Sequence, residues 1–159
     1  MHRTANDMTH VACTELSARG FAVPCVNSRY ANNESQVEWP LAALDVKAGM
    51  AFLRQQPGIA KAVLFGHSGG GPAMSFYQAV AERGVAYCQA PARIDPCGND
   101  LVGLPPADGI VFADADPGQP VMVLRGLNPA AAGESDAAAA KHIRDAGLRV
   151  MKQRFHTAA

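Results

Sequence analysis

Hydrophobic positions follow two alternating patterns along the first part of the chain, helical spacing and short apolar runs. Apolar residues at helical spacing predict three helices, over residues 7–19, 40–55 and 71–83. Short apolar runs of strand character lie between or after them, at residues 21–26, 62–65 and 109–113. Alternation of helix and strand favours a parallel sheet with helices on its faces. The predicted fold class is therefore α/β, a three-layer sandwich with a mostly parallel sheet.

The rest of the chain is less regular. Residues 85–108 are rich in proline and predict an irregular excursion within one domain that spans residues 1–159. The apolar run 121–124 follows the strand 109–113 too closely for a parallel crossover, so it either forms a hairpin or begins a helix. Beyond it, an alanine-rich helix and a last strand or helical tail are predicted, over residues 135–146 and 148–155.

Charge and hydropathy exclude several classes of function. The 14 Lys and Arg residues balance the 14 Asp and Glu residues, whereas a nucleic-acid binder needs clustered cations. No apolar run approaches the roughly 18 residues of a membrane helix. Residues 1–7 carry no apolar stretch of signal-peptide type. We therefore expect a cytoplasmic protein with no membrane span and no nucleic-acid partner.

The cysteine pattern gives no metal-binding signature. The four cysteines, Cys13, Cys25, Cys88 and Cys97, contain no Cys-x-x-Cys motif, so a structural zinc site is not expected. Reduced thiols are the expectation for a chain without a leader. A disulfide between Cys88 and Cys97 is the alternative if the protein is exported.

The segment Gly66-His67-Ser68-Gly69-Gly70 carries the clearest chemical signal. It matches Gly-x-Ser-x-Gly between a predicted strand and a predicted helix, which is the context of a nucleophile elbow. The strand must turn into the helix within about one residue of Ser68, which strains the backbone and projects the hydroxyl above the sheet edge. Side chains at Gly66 or Gly70 would collide with the neighbouring strand or helix. The Gly69 N–H and the helix N-terminus favour negative charge in the same space.

Two other interpretations of this segment stay open. A glycine-rich turn can serve only to let a helix pack closely on a sheet. The start of a helix can also bind an anion or phosphate, although this loop lacks the Gly-Lys-Ser/Thr of a P-loop and the spacing of a dinucleotide site.

Residues 7–116, about two-thirds of the chain, resemble the central part of an α/β-hydrolase. The residues Gly66 to Gly70 match the elbow of that family. The resemblance implies a Ser-His-acid hydrolase, most often one that acts on carboxylic esters, with Ser68 as nucleophile and the Gly69 N–H as oxyanion donor. It implies no cofactor and no metal.

The resemblance also implies missing parts. The chain begins where the helix after the family's third strand would begin, so that strand and the loop with the second oxyanion N–H are expected to be absent. In the family this strand lies between the counterparts of residues 21–26 and 62–65. We expect these two runs to pair directly, or another chain to fill the gap. Because an exposed parallel edge favours association, we expect a homo-oligomer.

The remaining triad members follow from the family's chain order, acid and then histidine after the serine. Of the two downstream histidines, His142 and His156, the resemblance favours His156 as the base because it follows the possible last strand. Asp114, after the strand 109–113, is the candidate acid. Asn128 stands where a carboxylate could follow a later strand.

The candidate pocket residues are His67, Arg29 and Tyr30. His67 adjoins Ser68, but neighbours in a sharp turn diverge, so it is expected to line the pocket. Arg29 and Tyr30 follow the run 21–26 at the sheet end that faces Ser68. The leading hypothesis is an esterase that takes a small-molecule ester. The alternative is a non-catalytic α/β-hydrolase-like remnant or assembly module with an incomplete triad.

Overall fold

A parallel pair of strands forms the centre of the computed structural model, which describes residues 1–2, 5–118 and 120–122. Strand β1 (Val63–Ser68) pairs with strand β2 (Gly109–Ala115). The register runs regularly from Val63 opposite Gly109 to His67 opposite Ala113, and Ser68 then lies opposite Ala115. Asp114 is therefore an extra residue on β2, and the strand bulges there. Each strand extends two or three residues past its predicted end.

In residues 1–118 the described chain forms three α-helices, α1 (Val11–Ser17), α2 (Ala42–Arg54) and α3 (Gly70–Arg83). Helix α3 packs on both strands, and α2 packs on α3. This combination of helices with a parallel pair of strands confirms the α/β class. Between α3 and β2 the described residues form two short 3-10 turns, Val85–Tyr87 and Asn99–Leu101, and a third such turn, Glu34–Gln36, precedes α2.

The core lies between α2, α3 and the sheet. Its apolar members come from α2, α3 and β1. The excursion contributes Leu101 and Leu104 to the same core. Tyr77 is fully buried, and its hydroxyl donates a hydrogen bond to the Pro105 carbonyl at 2.7 Å. The Gln78 side chain also donates to the Ala107 carbonyl and accepts from the Ala107 N–H, so three hydrogen bonds tie α3 to the excursion.

Asp108 aligns the beginnings of the two strands. Its carboxylate accepts a hydrogen bond from the Ala62 N–H at 2.8 Å, and its own N–H donates to the Ala62 carbonyl at 2.9 Å. Arg54 at the end of α2 lies 3.6 Å from the same carboxylate and donates to the Pro106 carbonyl at 2.7 Å. The register of β1 against β2 is therefore set at their amino ends.

The predicted strand at residues 21–26 does not form. These residues belong to no strand, and direct pairing with β1 is therefore wrong. A disulfide joins Cys25 to Cys13 of α1, and Phe21 donates its N–H to the Leu16 carbonyl. The run is thus held by α1 rather than by the sheet.

All four cysteines are paired, which differs from the expectation of reduced thiols. Cys88 and Cys97 form the second disulfide, the alternative pairing considered from the sequence. This bond closes the beginning of the excursion, where both cysteines are buried. The excursion therefore has a covalent clamp as well as its contact with Tyr77.

Helix α1 is shorter than predicted at its amino end. The Asn6 side chain accepts a hydrogen bond from the Met8 N–H, and the Asp7 N–H donates to the Asn27 side chain. These bonds hold residues 6–8 in a turn. The cap is His10, whose side chain accepts from the Ala12 N–H.

The chain separates into two units, residues 1–116 and 117–159. In the second unit, residues 120–122 are helical, so the apolar run beginning at Val121 starts in a helix and not in a hairpin. The predicted elements at 135–146 and 148–155 lie outside the described residues. No helix in the described part of the chain is long and apolar enough to cross a membrane.

We expect Tyr77→Phe to lower the free energy of unfolding by about 1–3 kcal/mol, because the buried Pro105 carbonyl loses its donor. Burial also raises the pKa of Tyr77 to about 12 from an ordinary value of 10.0. Between these values the unfolded chain loses a proton that the folded chain keeps, so this contribution to stability is complete below pH 10.0 and disappears as pH rises towards 12.

Urea unfolding at pH 8 and pH 11 measures both effects. The wild-type protein should lose more stability between the two values than Tyr77→Phe does. Equal losses in the two proteins would contradict the assignment of this pH dependence to Tyr77.

Candidate active site

The turn from β1 into α3 is as abrupt as the sequence predicts. Strand β1 ends at Ser68, helix α3 begins at Gly70, and Gly69 alone separates them. Ser68 has a φ of 49°, in the left-handed region that a residue with a side chain rarely adopts. The serine is half-buried, so its hydroxyl lies at the carboxyl end of β1 without being enclosed. The strained geometry predicted for the elbow is confirmed.

Glycines allow α3 to begin directly against the sheet. A Cβ atom at Gly66 would lie 2.8 Å from the Gly71 Cα atom, closer than real carbon atoms approach. A Cβ atom at Gly71 would in turn overlap the Cβ atom of Ala115 on β2. The predicted collision at Gly66 is therefore confirmed, and Gly71 is an additional packing glycine that the motif alone does not identify.

Gly70 is close to a different neighbour from the one predicted. A Cβ atom there would lie 2.7 Å from the carbonyl oxygen of Met1, not against the strand or the helix. The Met1 side chain is 3% exposed, and the terminal ammonium lies 3.5 Å from the Asp7 carboxylate. The beginning of the chain is therefore anchored at the N-terminus of α3, where a carbonyl oxygen is electrostatically favoured.

Two histidines meet beside Ser68. The Nε2 atom of His10 lies 3.3 Å from the Nδ1 atom of His67, with ring centroids 4.9 Å apart. His10 Nδ1 accepts the Ala12 N–H at 3.1 Å, so it carries no proton in this cap. In the neutral pair His10 therefore donates from Nε2, and His67 accepts at Nδ1 and keeps its own proton on Nε2.

His10 was not a sequence candidate. It precedes its partner by 57 residues, and its helical neighbours indicate only a surface position. The only local sequence signal at His10 is its position before the first helical residue, and histidine is not among the residues preferred at that capping position. His67 is exposed and lies on the same face of the sheet as Phe65, whose ring is 6.4 Å from that of His10.

Asp114 lies in the bulge of β2, next to the carboxyl end of β1. Its φ is 46°, a conformation that aspartate tolerates better than most residues, and it is exposed. The following Asp116 donates its N–H to the Ser68 carbonyl at 3.2 Å. The sheet therefore brings the candidate acid to the same edge as the serine. Within the described ranges, neither Asp114 nor a histidine forms a hydrogen bond with the Ser68 hydroxyl, and His142, His156 and Asn128 lie outside them.

Arg29 and Tyr30 are held by other contacts. The Arg29 side chain and N–H donate to the Asp45 carboxylate at 2.9 Å, and this hydrogen-bonded ion pair raises the pKa of Arg29. Tyr30 is buried, and its N–H donates to the Ser28 hydroxyl. Their predicted role in the pocket stays a prediction.

A large cavity opens next to the histidine pair. It has a volume of about 640 Å³ and extends from Lys61, which precedes β1, along that strand to His67. Residues 20–26 form one wall, and Gly49, Met50 and Leu53 of α2 form another. Apart from Asp7, Lys61 and the two histidines, its lining is apolar or backbone, which is the usual character of a ligand site.

No group of three potential metal ligands occurs among the residues that the structure describes. No family model, curated protein or solved structure matches the chain. The resemblance to α/β-hydrolases therefore depends on the elbow residues themselves.

We expect Gly66→Ala to destabilise the protein by about 1–3 kcal/mol, because its new methyl group has no space against the backbone of Gly71. The matched control is Gly49→Ala in α2, where a Cβ atom would lie 3.6 Å from Val26, an ordinary contact. Removing a glycine from a helix interior should stabilise by about 0.5–1 kcal/mol. Urea unfolding measures both variants, and a neutral Gly66→Ala would contradict the close packing at the elbow.

Proposed function

We propose that this protein is a serine hydrolase that cleaves small carboxylic esters through an acyl-enzyme on Ser68. The observation that carries the proposal is the positive φ of Ser68 between the end of β1 and the start of α3. A residue held in such a conformation costs free energy of order 1–3 kcal/mol and is typical of functional sites. A turn that only served close packing could carry a glycine at this position without strain, so a serine there favours a role for its hydroxyl.

The reaction proceeds in two steps. The Ser68 oxygen attacks the ester carbonyl while an imidazole takes its proton, and the bond to the alcohol oxygen then breaks as that oxygen receives the proton. Water deacylates the serine by the same route and releases the carboxylic acid. The negative charge on the carbonyl oxygen is stabilised by the Gly69 N–H and the N-terminus of α3.

The proposed base is His156 and the proposed acid is Asp114, in the order of the family that the elbow resembles. The bulge that holds Asp114 at the carboxyl end of β2 supports the acid. His67 borders the cavity next to Ser68, with its ring held by His10, and supports a role in substrate binding. The complete three-layer core of an α/β-hydrolase is part of the same proposal.

The location and assembly of the protein are also proposals. The cytoplasmic location expected from the sequence stays a proposal. The two disulfides favour an oxidising compartment, since paired cysteines are uncommon where thiols are kept reduced. A homo-oligomer is expected from the unpaired edge of the sheet.

A non-catalytic module is the second candidate. It is favoured by one observation, that no histidine in the described residues hydrogen-bonds to the Ser68 hydroxyl. In that case the elbow is retained for packing and the protein acts through binding. Activity and serine labelling separate the two candidates.

We expect Ser68→Ala to lower the turnover of p-nitrophenyl butyrate by at least about 10³-fold, because the nucleophile is removed. A fluorophosphonate probe should label Ser68 of the wild-type protein, as located by mass spectrometry. The matched control is Ser75→Ala, an exposed serine of α3, which should keep full activity. Turnover that survives in Ser68→Ala would contradict Ser68 as the nucleophile, and a wild-type protein without turnover or labelling would favour the non-catalytic module.

A second experiment identifies the base. His156→Gln should reduce kcat by about 10²–10⁴-fold, because proton transfer from the serine is lost. The matched variant His142→Gln should change kcat little. If His67→Gln abolishes kcat and His156→Gln does not, the base is the histidine beside the serine and the family order does not apply.

A further inference from the structure

The two disulfides of the chain lie in different surroundings. Cys88 and Cys97 are members of the hydrophobic core, and they are 1% and 6% exposed. Cys13 and Cys25 are partly exposed and belong neither to the core nor to the residues that pack against it. Because thiol–disulfide exchange needs direct attack of a thiolate on a sulfur atom, the exposed pair is open to a reductant that the buried pair excludes.

The sizes of the two closed loops do not distinguish the bonds. The paired cysteines are 12 residues apart in one case and 9 in the other, so both bonds restrict the unfolded chain by similar amounts. Access to the sulfur atoms therefore decides which bond is reduced first. The core must open before a reductant reaches Cys88 and Cys97, whereas Cys13 and Cys25 can be reached in the folded protein.

The segment that Cys25 anchors has few other attachments. The Phe21 N–H donates to the Leu16 carbonyl, but no backbone group of residues 22–26 forms a hydrogen bond with a described residue. Helix α1, at the other end of the disulfide, has no buried residue. No residue of either segment packs against the core. The covalent bond is therefore the main restraint that keeps residues 22–26 beside α1.

We propose that the Cys13–Cys25 disulfide is a redox latch, which a dithiol reductant opens before the core disulfide and which thereby releases residues 22–26. A thiolate of the reductant attacks one sulfur atom, and the second thiol of the reductant resolves the mixed disulfide. Two electrons and two protons pass to the chain, which gains the Cys13 and Cys25 thiols. The reductant leaves as its own disulfide, so no other co-reactant is required.

Release of this segment changes the cavity beside β1. Residues 20–26 form one of its walls, next to β1 from Val63 to His67. Once the bond is broken, this wall is free to move away from the strand, and the apolar lining becomes accessible to solvent. Helix α1 follows His10, whose ring contacts His67, so the histidine pair lies beside the part that moves. The latch therefore links redox state to the shape of the cavity, independently of catalysis by Ser68.

Alkylation of the full chain tests the order of reduction. The oxidised protein is treated with graded dithiothreitol in native buffer, pulsed with iodoacetamide and mapped by mass spectrometry. Cys13 and Cys25 should be labelled at least tenfold faster than Cys88 and Cys97, and Ser68→Ala should give the same order. Equal rates, or earlier labelling of the core pair, would overturn the proposal. Free thiols at Cys13 and Cys25 in protein equilibrated with oxidised glutathione would overturn it as well.

Each disulfide loop contains one trypsin site, which provides a matched pair. Arg19 lies in the loop that Cys13 and Cys25 close, with 62% of its side chain exposed, and the exposed Arg93 lies in the loop of the core disulfide. When dithiothreitol reduces only the first bond, cleavage after Arg19 should rise at least tenfold, and cleavage after Arg93 should not change. Mass spectrometry after full reduction counts the cuts. An unchanged rate at Arg19 would contradict release of the segment.

Dye binding and hydrogen exchange separate local release from unfolding. On reduction of the first bond, the fluorescence of added anilinonaphthalene sulfonate should rise at least twofold, because the apolar lining becomes accessible. The Met50 amide within α2 should keep its protection from exchange. The double variant Cys13→Ser/Cys25→Ser should bind the dye equally well in oxidising buffer. Unchanged fluorescence on reduction, or loss of protection at Met50, would refute the latch. If the double variant does not fold, the experiments on the wild-type protein decide alone.

Discussion

The close contact between Gly66 and Gly71 is the constraint on which the site depends. Because neither residue has a side chain, α3 starts directly against β1 and β2, and the chain reverses through Gly69 alone. That reversal forces Ser68 to a positive φ and directs the start of the helix toward the space above the sheet. A larger residue at either glycine would separate the helix from the strands and relax the serine.

The two edges of β1 differ, because only one of them pairs with another described strand. Toward β2 the register is set at one end by Asp108 and broken at the other by the Asp114 bulge. On the opposite side the described part of the chain adds no strand, and the disulfide from Cys13 to Cys25 holds residues 21–26 near α1. The cavity beside β1 results from this arrangement, since the wall is fixed by a covalent bond and not by sheet hydrogen bonds.

The proposed esterase site and the cavity meet at His67. The residue after it is the candidate nucleophile, and His67 itself lines the cavity and contacts His10. The histidine pair therefore lies where the cavity approaches the carboxyl end of β1.

The local elements could be predicted because local physics decides them. The spacing of apolar residues in α2 and α3, and the glycines around Ser68, determined two helices, a strand and the sharp turn between them. Only the tertiary structure decided the rest. Residues 21–26 have strand character, but strand pairing needs a partner at the correct distance, and a disulfide holds them elsewhere. The contact of His10 with His67 and the bulge at Asp114 likewise arise from segments far apart in sequence, which no local pattern brings together.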